Sequence, residues 1–380
     1  MGLRRFDIDV VVTGIGLRSS LGDLADTWTH LLAGRSGLSL RQPFPELAPR
    51  PIGSIGNRPA DFVDLAKTVA IEALEDAGLT PPLSNCGVVI GSSRSQQGRW
   101  EQFKQTFQPQ GVPHWLEALP HMGAIETARC LGSTAAVLAP MAACATGIWS
   151  LAQGVQLLRT GQIDRSIVGA VETPITPLTL AGFEKMGALA KTGCYPFDRN
   201  REGLALAEGA AVFVLETLEL ARSRNARIYG RILDLGLTAD SYHVSAPQPQ
   251  SFGAISAVKQ CLDRSDLDPT DIDYVHAHGT STLLNDRSEA HLLQHVFPRG
   301  VPVSSTKGAT GHAIGASGTL GVAFCLLAMR DNVLPPCVGL HDPEFDLDFV
   351  RVARPSRIDR SLCLSFGFGG QNAAIALETL

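Results

Sequence analysis

Short apolar runs recur along the chain and alternate with longer segments of helical periodicity. The short runs are rich in β-branched residues and end at glycine or another small residue, which is typical of strands buried on both faces; they cover 9–14, 87–91, 166–171 and 273–279. The longer segments predict helices over 62–77, 144–159, 252–262 and 313–329. Buried strands that alternate with helices predict an α/β fold.

Two of the predicted helices lack a polar face. In 144–159, the positions between the large apolar side chains hold mostly alanine, glycine, threonine and serine, and 313–329 contains no charged residue. A helix without a polar face is buried on all sides. We therefore expect these two helices to form a core layer between two sheets.

A weak internal repeat supports this layered arrangement. Residues 210–217 (AAVFVLET) resemble 372–379 (NAAIALET), and the two helices without a polar face begin at similar distances before them, near 144 and 312. Chance similarity between two buried strands is the alternative, but the two coincidences together favour duplication. The polar segment 222–227 then marks a boundary between an N-terminal half, 1–221, and a C-terminal half, 222–380.

Composition excludes several classes of protein. Only 18% of residues are charged, which predicts a large core or a buried subunit interface, and the net charge of −5 argues against non-specific nucleic-acid binding. The strongly apolar stretch 320–329 is about half the roughly 20 residues that a membrane span needs. Residues 1–9 lack the apolar stretch of a secretory signal, and the eight cysteines form no C-x-x-C pair. We expect a cytoplasmic protein without a membrane span.

Gly14-x-Gly16 follows a predicted strand, as a dinucleotide-binding turn would. The third glycine of that motif is replaced by Ser19, and no acidic residue ends a following second strand. The sequence therefore favours a tight strand-to-helix turn without a nucleotide.

Cys144 stands where a run of small residues opens an apolar helix. The positive end of the helix dipole favours the thiolate, and small neighbours leave room for a substrate. A buried, inert cysteine is the alternative. The sequence leaves the two interpretations evenly balanced.

Two histidines follow predicted strand ends. His276 and His278 form a His-x-His pair, for which a metal site is the less favoured interpretation because no third ligand cluster is evident. His312 precedes the second apolar helix, whose dipole favours a neutral imidazole. The glycine-rich segment 365–370 can present a backbone N–H to a substrate oxygen, or can simply form a tight turn.

Together these segments resemble the elongating 3-oxoacyl-acyl-carrier-protein synthases (ketoacyl synthase I/II type) of the thiolase superfamily. The resemblance covers nearly the whole chain, and its joint order and spacing are specific. It is carried by the segments VTGIG (12–16), ACATG (143–147), PFDRNREG (196–203), AEGA (207–210), DSYHVSAP (240–247), AHGTST (277–282), STK with TGH (305–307 and 310–312) and SFGFGG (365–370).

The resemblance implies a thiolase-like fold of two duplicated α/β halves in five α-β-α-β-α layers. It implies that Cys144 is the acyl-accepting nucleophile and that His278 and His312 assist decarboxylation and condensation. Lys307 matches the family's active-site lysine. The implied reaction joins an acyl group from acyl carrier protein to malonyl carrier protein, releasing carbon dioxide, in fatty acid or polyketide biosynthesis.

Further positions match residues that bind substrate in the family. Thr280 and Thr282 match the threonines that contact pantetheine, and Phe368 matches a gating residue whose backbone N–H joins that of Cys144 in the oxyanion hole. The implied partners are acyl carrier protein and a second copy of the chain in a homodimer. No metal and no redox cofactor is implied.

The chain also departs from the family pattern. A glutamate usually stands nine residues after the second histidine, where this chain has Gly321. We expect Asp286 or Glu289 to replace it as the supporting carboxylate of Lys307. Two alternatives stay open: a non-elongating, chain-length-factor-like partner subunit, which usually lacks the cysteine, and a coenzyme A-dependent acyltransferase or thiolase.

Overall fold

The computed structural model describes residues 8–106 and 115–380. The prediction that residues 1–9 form no secretory signal therefore falls mostly outside the described residues. The described strands are β1 (Val10–Arg18), β2 (Leu38–Arg41), β3 (Arg50–Gly53), β4 (Cys86–Gly91), β5 (Val137–Leu138), β6 (Arg165–Glu172), β7 (Gly209–Thr217), β8 (Gly230–Ala239), β9 (Tyr274–His276), β10 (Val303–Ser304), β11 (Val333–Leu334), β12 (Arg354–Pro355), β13 (Arg360–Gly367) and β14 (Gln371–Glu378).

The described helices include both predicted apolar ones. They are α1 (Leu24–Leu32), α2 (Phe62–Asp76), α3 (Gln97–Thr106), α4 (Met122–Leu131), α5 (Thr146–Arg159), α6 (Pro177–Lys185), α7 (Leu218–Ser223), α8 (Phe252–Ser265), α9 (Leu283–Val296), α10 (Lys307–Thr310) and α11 (Ser317–Asp331). The apolar helices are α5 and α11, and α5 begins two residues after Cys144.

Ten strands form one sheet in the order β10-β9-β13-β14-β8-β1-β7-β6-β4-β5. From β1 outward, β1 pairs antiparallel with β7, and β7 pairs antiparallel with β6. Strand β6 then pairs parallel with β4, and β4 pairs parallel with β5. From β8 outward, β14, β13, β9 and β10 repeat this connectivity. The two five-stranded portions join where residues 10–12 of β1 pair with 230–232 of β8.

Alternate residues of the strands face different helix layers, as strand geometry requires. On β7, Phe213 packs in the cluster that contains the apolar faces of α5 and α11, whereas Val212 packs with α2 and α4. On β13, Cys363 joins the α5–α11 cluster and Leu362 packs with α8 and α9. The layers therefore run helix, sheet, helix, sheet, helix, which confirms the predicted architecture.

The central helix layer explains the apolar composition of α11. Of the described helices, the one over Ile314–Asp331 is long and apolar enough to cross a membrane, and 89% of that window is buried inside the protein. Its side chains pack against both sheet portions. The apolar sequence of this helix is therefore accounted for by burial in the core.

The prediction of a turn at Gly14-x-Gly16 is wrong, because both glycines lie inside β1. A Cβ on Gly14 would come within 2.2 Å of the Ala73 carbonyl oxygen, and one on Gly16 within 1.9 Å of that of Val69. The glycines therefore allow the backbone of α2 to pack directly against the strand. Since the chain does not turn here, the pair forms no dinucleotide-binding loop.

The predicted division between 221 and 222 falls within α7, which ends at Ser223, before the chain enters β8 at Gly230. The linker between the two sheet portions thus consists of α7 and the few residues that follow it. The exact boundary of the halves stays a prediction.

Candidate active site

A cleft of about 280 Å³ opens beside Cys144. Its lining contains most of the residues that the sequence singled out, and they come from both halves of the chain: Cys144, His278, Thr280, Thr282, His312 and Phe368. Lys307, Asp286 and Glu289 lie outside this lining and are buried behind it.

The backbone around Cys144 is held by close contacts. Ala143 has a φ of 47°, a left-handed conformation that costs energy for a residue with a Cβ. The Ser365 hydroxyl donates to the Cys144 carbonyl oxygen at 2.8 Å. A Cβ on Gly367 would lie 2.9 Å from the Ala142 carbonyl oxygen, so this glycine lets the turn over 365–370 approach the cysteine.

Burial decides the protonation of Cys144. Desolvation raises the pKa of its thiol to about 11, although the positive charges of Lys307 and Arg94 and the N–H of Phe368 act in the opposite direction. Burial thus acts against the thiolate that the helix end favours. The helix dipole does not overcome the cost of removing the charged form from water.

His278 and His312 face the thiol. One ring nitrogen of each histidine and the Cys144 sulfur lie within 4.8 Å of one another. The two imidazole rings meet edge to face with their centroids 5.3 Å apart. Burial, followed by the charge of Lys307, holds the pKa of each imidazole well below its usual value. Both rings are therefore neutral at pH 7, as the sequence predicts for His312.

The two imidazoles differ in their surroundings. His312 Nδ1 lies 2.8 Å from the Ser317 hydroxyl, which fixes the ring plane and leaves the other nitrogen for the cleft. His278 Nδ1 has no hydrogen-bond partner among the described residues. A buried nitrogen without a partner is costly unless a ligand supplies one.

Lys307 supports His278 through the backbone. Its ammonium group donates to the His278 carbonyl oxygen. Glu289 accepts hydrogen bonds from the backbone N–H groups of His278 and Gly279, both at 2.6 Å. Burial lowers the pKa of Lys307, the Glu289 charge opposes this, and burial raises the pKa of Glu289 to about 7.

Asp286 has a different partner. Its carboxylate accepts from the Phe197 N–H at 2.8 Å and lies 3.7 Å from the Arg201 guanidinium, while burial raises its pKa to about 6. Among the two predicted carboxylates, Glu289 is thus the one whose charge acts on Lys307. At Gly321, a Cβ would come within 2.7 Å of His276 Nδ1, so the histidine ring fills the space beside this glycine.

Thr280 and Thr282 line the entrance. Their hydroxyl groups lie 2.9 Å apart, and Thr282 also caps the start of α9. Phe368 lies on the other side of the cleft, with its ring stacked on that of Phe183 at a centroid distance of 5.9 Å. Its N–H hydrogen-bonds the Cys144 sulfur, so this donor lies next to the atom that the sequence predicts to carry an acyl group.

Two family models match the chain: the beta-ketoacyl synthase N-terminal domain over residues 52–221 and the beta-ketoacyl synthase C-terminal domain over residues 229–341. The chain belongs to the beta-ketoacyl synthase family. Membership in this family places it among the condensing acyltransferases.

Individual relatives agree with this assignment. A 3-oxoacyl-acyl-carrier-protein synthase 2 of Staphylococcus aureus (strain MRSA252) is 32% identical, over 98% of this chain and 98% of that protein.

Solved structures show the same fold. A chain of AntDE:AntF, a type II PKS acyl-carrier protein in complex with its ketosynthase bound to the hexaketide, superposes with a TM-score of 0.91 at 25% identity, covering 98% of this chain and 100% of that one. A chain of the ishigamide ketosynthase/chain length factor gives 0.90 at 27%, covering 98% and 99%.

Sequence reasoning missed two charged residues of this beta-ketoacyl synthase site. Glu172 is fully buried and accepts hydrogen bonds from the backbone N–H groups of Ser93, Arg94 and Gly315, which ties the loop after β4 to the turn before α11. The sequence offers one signal for Glu172, which is its position directly after the predicted strand 166–171. Arg94 belongs to no motif, and only the fold brings it near Cys144.

The donor set of this ketosynthase site also suits a metal. A thiol and two imidazoles are ligands that zinc prefers. A zinc ion there would engage the Cys144 sulfur, which the sequence predicts to be the nucleophile. The sequence-based expectation of a metal-free site stays a prediction.

Proposed function

We propose that the chain catalyses the decarboxylative Claisen condensation of a carrier-bound acyl group with malonyl carrier protein, giving 3-oxoacyl carrier protein and carbon dioxide. The observation that supports it most directly is the convergence of the Cys144 sulfur and two neutral imidazoles in one cleft. Each step of this reaction has a matching group in the cleft.

The first step transfers the acyl group to Cys144. The thiol sulfur attacks the carbonyl carbon of the acyl thioester while its proton passes to the departing carrier thiol. Because burial raises the pKa of Cys144 to about 11, the proton must leave as the new bond forms, and a neutral imidazole can carry it. The Phe368 and Cys144 N–H groups stabilise the tetrahedral oxyanion.

The second step uses malonyl carrier protein. Its carboxylate leaves as carbon dioxide, and the remaining electron pair forms an enolate whose oxygen accepts hydrogen bonds from His278 and His312. Neutral imidazoles suit this task, since each carries one N–H and donates it as a hydrogen bond without transferring the proton to the enolate. Each such donor is typically worth a few kcal/mol to the transition state.

The third step forms the carbon–carbon bond. The enolate carbon attacks the acyl-cysteine carbonyl, and the Cys144–acyl bond breaks to return the sulfur. The departing thiolate takes up one proton from solvent, the proton that the whole reaction consumes, which restores the resting thiol. Lys307 acts by holding the His278 carbonyl oxygen, and Glu289 by holding the neighbouring N–H groups.

The decisive test incubates the protein with acyl and malonyl carrier protein and follows acyl-enzyme and 3-oxoacyl product by intact mass. Cys144→Ser is expected to abolish the acyl-enzyme. Cys130→Ser is the matched control, because this cysteine is exposed on α4, outside the cleft. Labelling of the Cys144→Ser protein would place the nucleophile elsewhere.

A second candidate is a non-elongating partner subunit. The similarity to a chain of the ishigamide ketosynthase/chain length factor supports this alternative. The presence of Cys144 and both histidines argues for the condensing enzyme. Acyl-enzyme formation without any 3-oxoacyl product would support the partner subunit.

We also propose that the enzyme works in the cytoplasm as a homodimer with acyl carrier protein as its partner, without a nucleic acid or a metal. The charged fraction of 18% supports a large buried interface. So do large apolar side chains exposed on α3 and α6, among them Trp100 and Leu178.

A further inference from the structure

His276 is the histidine of the His-x-His pair that the proposed reaction does not use. Among the described residues, the cleft lining includes His278 but not His276, which is buried behind it. The His276 ring packs between α11 and β13, with its centroid 6.2 Å from that of the Phe324 ring and its Nδ1 3.9 Å from the Cys363 sulfur. The two imidazoles of the pair therefore have different surroundings, and His276 needs an explanation of its own.

A hydrogen bond connects His276 to the segment that carries Lys307. The Nε2 atom of His276 lies 3.1 Å from the hydroxyl oxygen of Thr306, the residue directly before Lys307. The Thr306 hydroxyl does not cap α10, so its hydrogen bond to the imidazole is free to fix this part of the backbone. Both groups are buried, and a buried polar group that loses its partner costs about 1–3 kcal/mol.

Lys307 leads back to the strand end that carries His276. Its ammonium group donates to the carbonyl oxygen of His278, two residues after His276. The contacts of His276 with Thr306 and of Lys307 with His278 thus close a loop between the two segments. Burial and the charges of Lys307, His312 and His276 together lower the pKa of His278. A shift of Thr306 would move the Lys307 ammonium and, through it, His278.

Gly321 makes room for the His276 imidazole. A Cβ on this glycine would lie 2.7 Å from Nδ1 and 2.8 Å from Cε1 of His276, and 2.8 Å from the Cys363 sulfur. All three distances are too short for a van der Waals contact. A side chain at 321 would therefore displace the ring, so the polar group in this space comes from β9 and not from α11.

We propose that His276 is a positioning residue for the decarboxylation step: through Thr306 it fixes the backbone of Lys307, and Lys307 in turn fixes His278. This inference rests on the proposed function, because that function assigns an N–H of His278 to the enolate oxygen. A misplacement of about 1 Å in the groups around a reacting atom can cost roughly a hundredfold in rate. The contact between His276 and Thr306 therefore matters to the reaction although neither residue touches the substrate.

The first test replaces the imidazole. His276→Leu removes the hydrogen bond and keeps a side chain in the space, and we expect carbon dioxide release from malonyl carrier protein to fall about tenfold in single-turnover assays. Acyl transfer to Cys144 is expected to change much less, because His312 can carry the proton of that step. His276→Gln can still reach the Thr306 hydroxyl and is expected to retain most of the wild-type rate. Equal loss of both steps in His276→Leu, or a glutamine variant as slow as the leucine variant, would refute the positioning role.

The second test follows the route through Thr306. Thr306→Val removes the hydroxyl and keeps the shape of the side chain, so we expect the same selective loss of carbon dioxide release. Because both changes break one contact, the double variant is expected to be no slower than the slower single variant. Losses that multiply to about a hundredfold would show independent effects and overturn the route. If His276→Leu does not fold, Thr306→Val decides, and a wild-type ratio of the two steps in it counts against the proposal.

Tyr274→Phe is the matched control. Tyr274 lies on the same strand, is fully buried, and its hydroxyl lies 2.6 Å from that of Ser304 on β10. This contact joins the same two segments, but Ser304 is not adjacent to Lys307. We expect Tyr274→Phe to lower stability against urea and to keep the wild-type ratio of the two steps. A changed ratio would mean that any lost contact between the segments has this effect, which would contradict a specific role of His276.

The wild-type protein separates this inference from the proposed function. A wild type that forms no acyl-enzyme and releases no carbon dioxide would refute the proposed function. A wild type that performs both steps, together with unchanged ratios in His276→Leu and Thr306→Val, would refute only the role of His276.

Discussion

Two opposing effects act on the Cys144 thiol. Nearby cations and the Phe368 N–H favour the thiolate, and burial disfavours it more strongly, so that the pKa rises to about 11. A low-pKa cysteine would be reactive without substrate, whereas this one stays protonated until its proton has an acceptor. The proposed nucleophile is therefore expected to be inactive between turnovers.

This balance predicts how Cys144 reacts with iodoacetamide. Because only the thiolate is alkylated, the rate is expected to rise about tenfold per pH unit between pH 7 and 10, without a plateau near neutrality. Peptide mass mapping measures the rate at Cys144 separately from that at the exposed Cys130. A rate already maximal at pH 7 would show a preformed thiolate and contradict the assigned pKa direction.

Glu289 offers a test of the groups behind His278. Glu289→Gln removes the charge that acts on Lys307 and replaces one acceptor oxygen at the His278 and Gly279 N–H groups. We expect carbon dioxide release from malonyl carrier protein to fall by about tenfold or more, with acyl transfer to Cys144 much less affected. Single-turnover assays measure the two steps separately.

Glu208→Gln is the matched control for this prediction. Glu208 is also buried and accepts two backbone N–H groups, those of Ile55 and Ala60, but its charge does not act on Lys307. We expect it to lower stability without separating the two steps. Equal loss of both steps in Glu289→Gln would assign this carboxylate a purely structural role.

At the level of elements, the start of α5 packs against the turn that leads into α11. A Cβ on Gly147 would lie 2.7 Å from the Thr319 N and 3.0 Å from the Gly315 carbonyl oxygen. Gly147→Ala must therefore push the helices apart, three residues from Cys144. We expect a loss of about 1–3 kcal/mol in the free energy of unfolding, measured by urea denaturation, together with slower acyl transfer.

Gly182→Ala is the control, since this glycine lies within α6 and nothing surrounds its Cβ position within 4 Å. Alanine there is expected to stabilise the protein by about 0.5–1 kcal/mol. Stabilisation by both alanines would mean that the close approach of α5 to the turn before α11 is not required.

The sequence predicts the elements well where packing leaves a pattern. The charge-free segment 313–329, most of which lies in α11, and the apolar strands are evident from the sequence because burial on all sides removes polar residues. Gly14 and Gly16 were misinterpreted because a glycine at a turn and one under a helix look alike in sequence. The similarity of the two strand segments 210–217 and 372–379 predicts the duplicated connectivity.

The sequence predicts some residues of the site and misses others. Cys144, His278 and His312 stand in recognisable motifs, and the cleft brings them together. The thiol pKa could not be foreseen, because it depends on how deeply the fold buries the sulfur. Arg94 and Glu172 were missed because their roles come from contacts with residues distant in the chain.

For the whole molecule, sedimentation can measure whether two copies of the chain associate. We expect sedimentation at micromolar concentration to give about twice the chain mass of 40.4 kDa, because obligate dimers typically bury more than roughly 2,000 Å². Trp100→Glu at the exposed apolar surface of α3 should shift the protein toward the monomer. A wild-type protein that sediments only as a monomer would contradict the homodimer.

The position of β1 has a consequence for how the protein is made. Val10 leaves the ribosome early, but it pairs with Thr217 of β7 and Ile232 of β8. At synthesis rates of 5–20 residues per second, roughly 200 residues take about 10–40 s. During that time three consecutive valines, 10–12, have no partner strand, and such segments aggregate readily. The nascent chain therefore depends on chaperones, or on early packing of α2 against this strand, until its second half emerges.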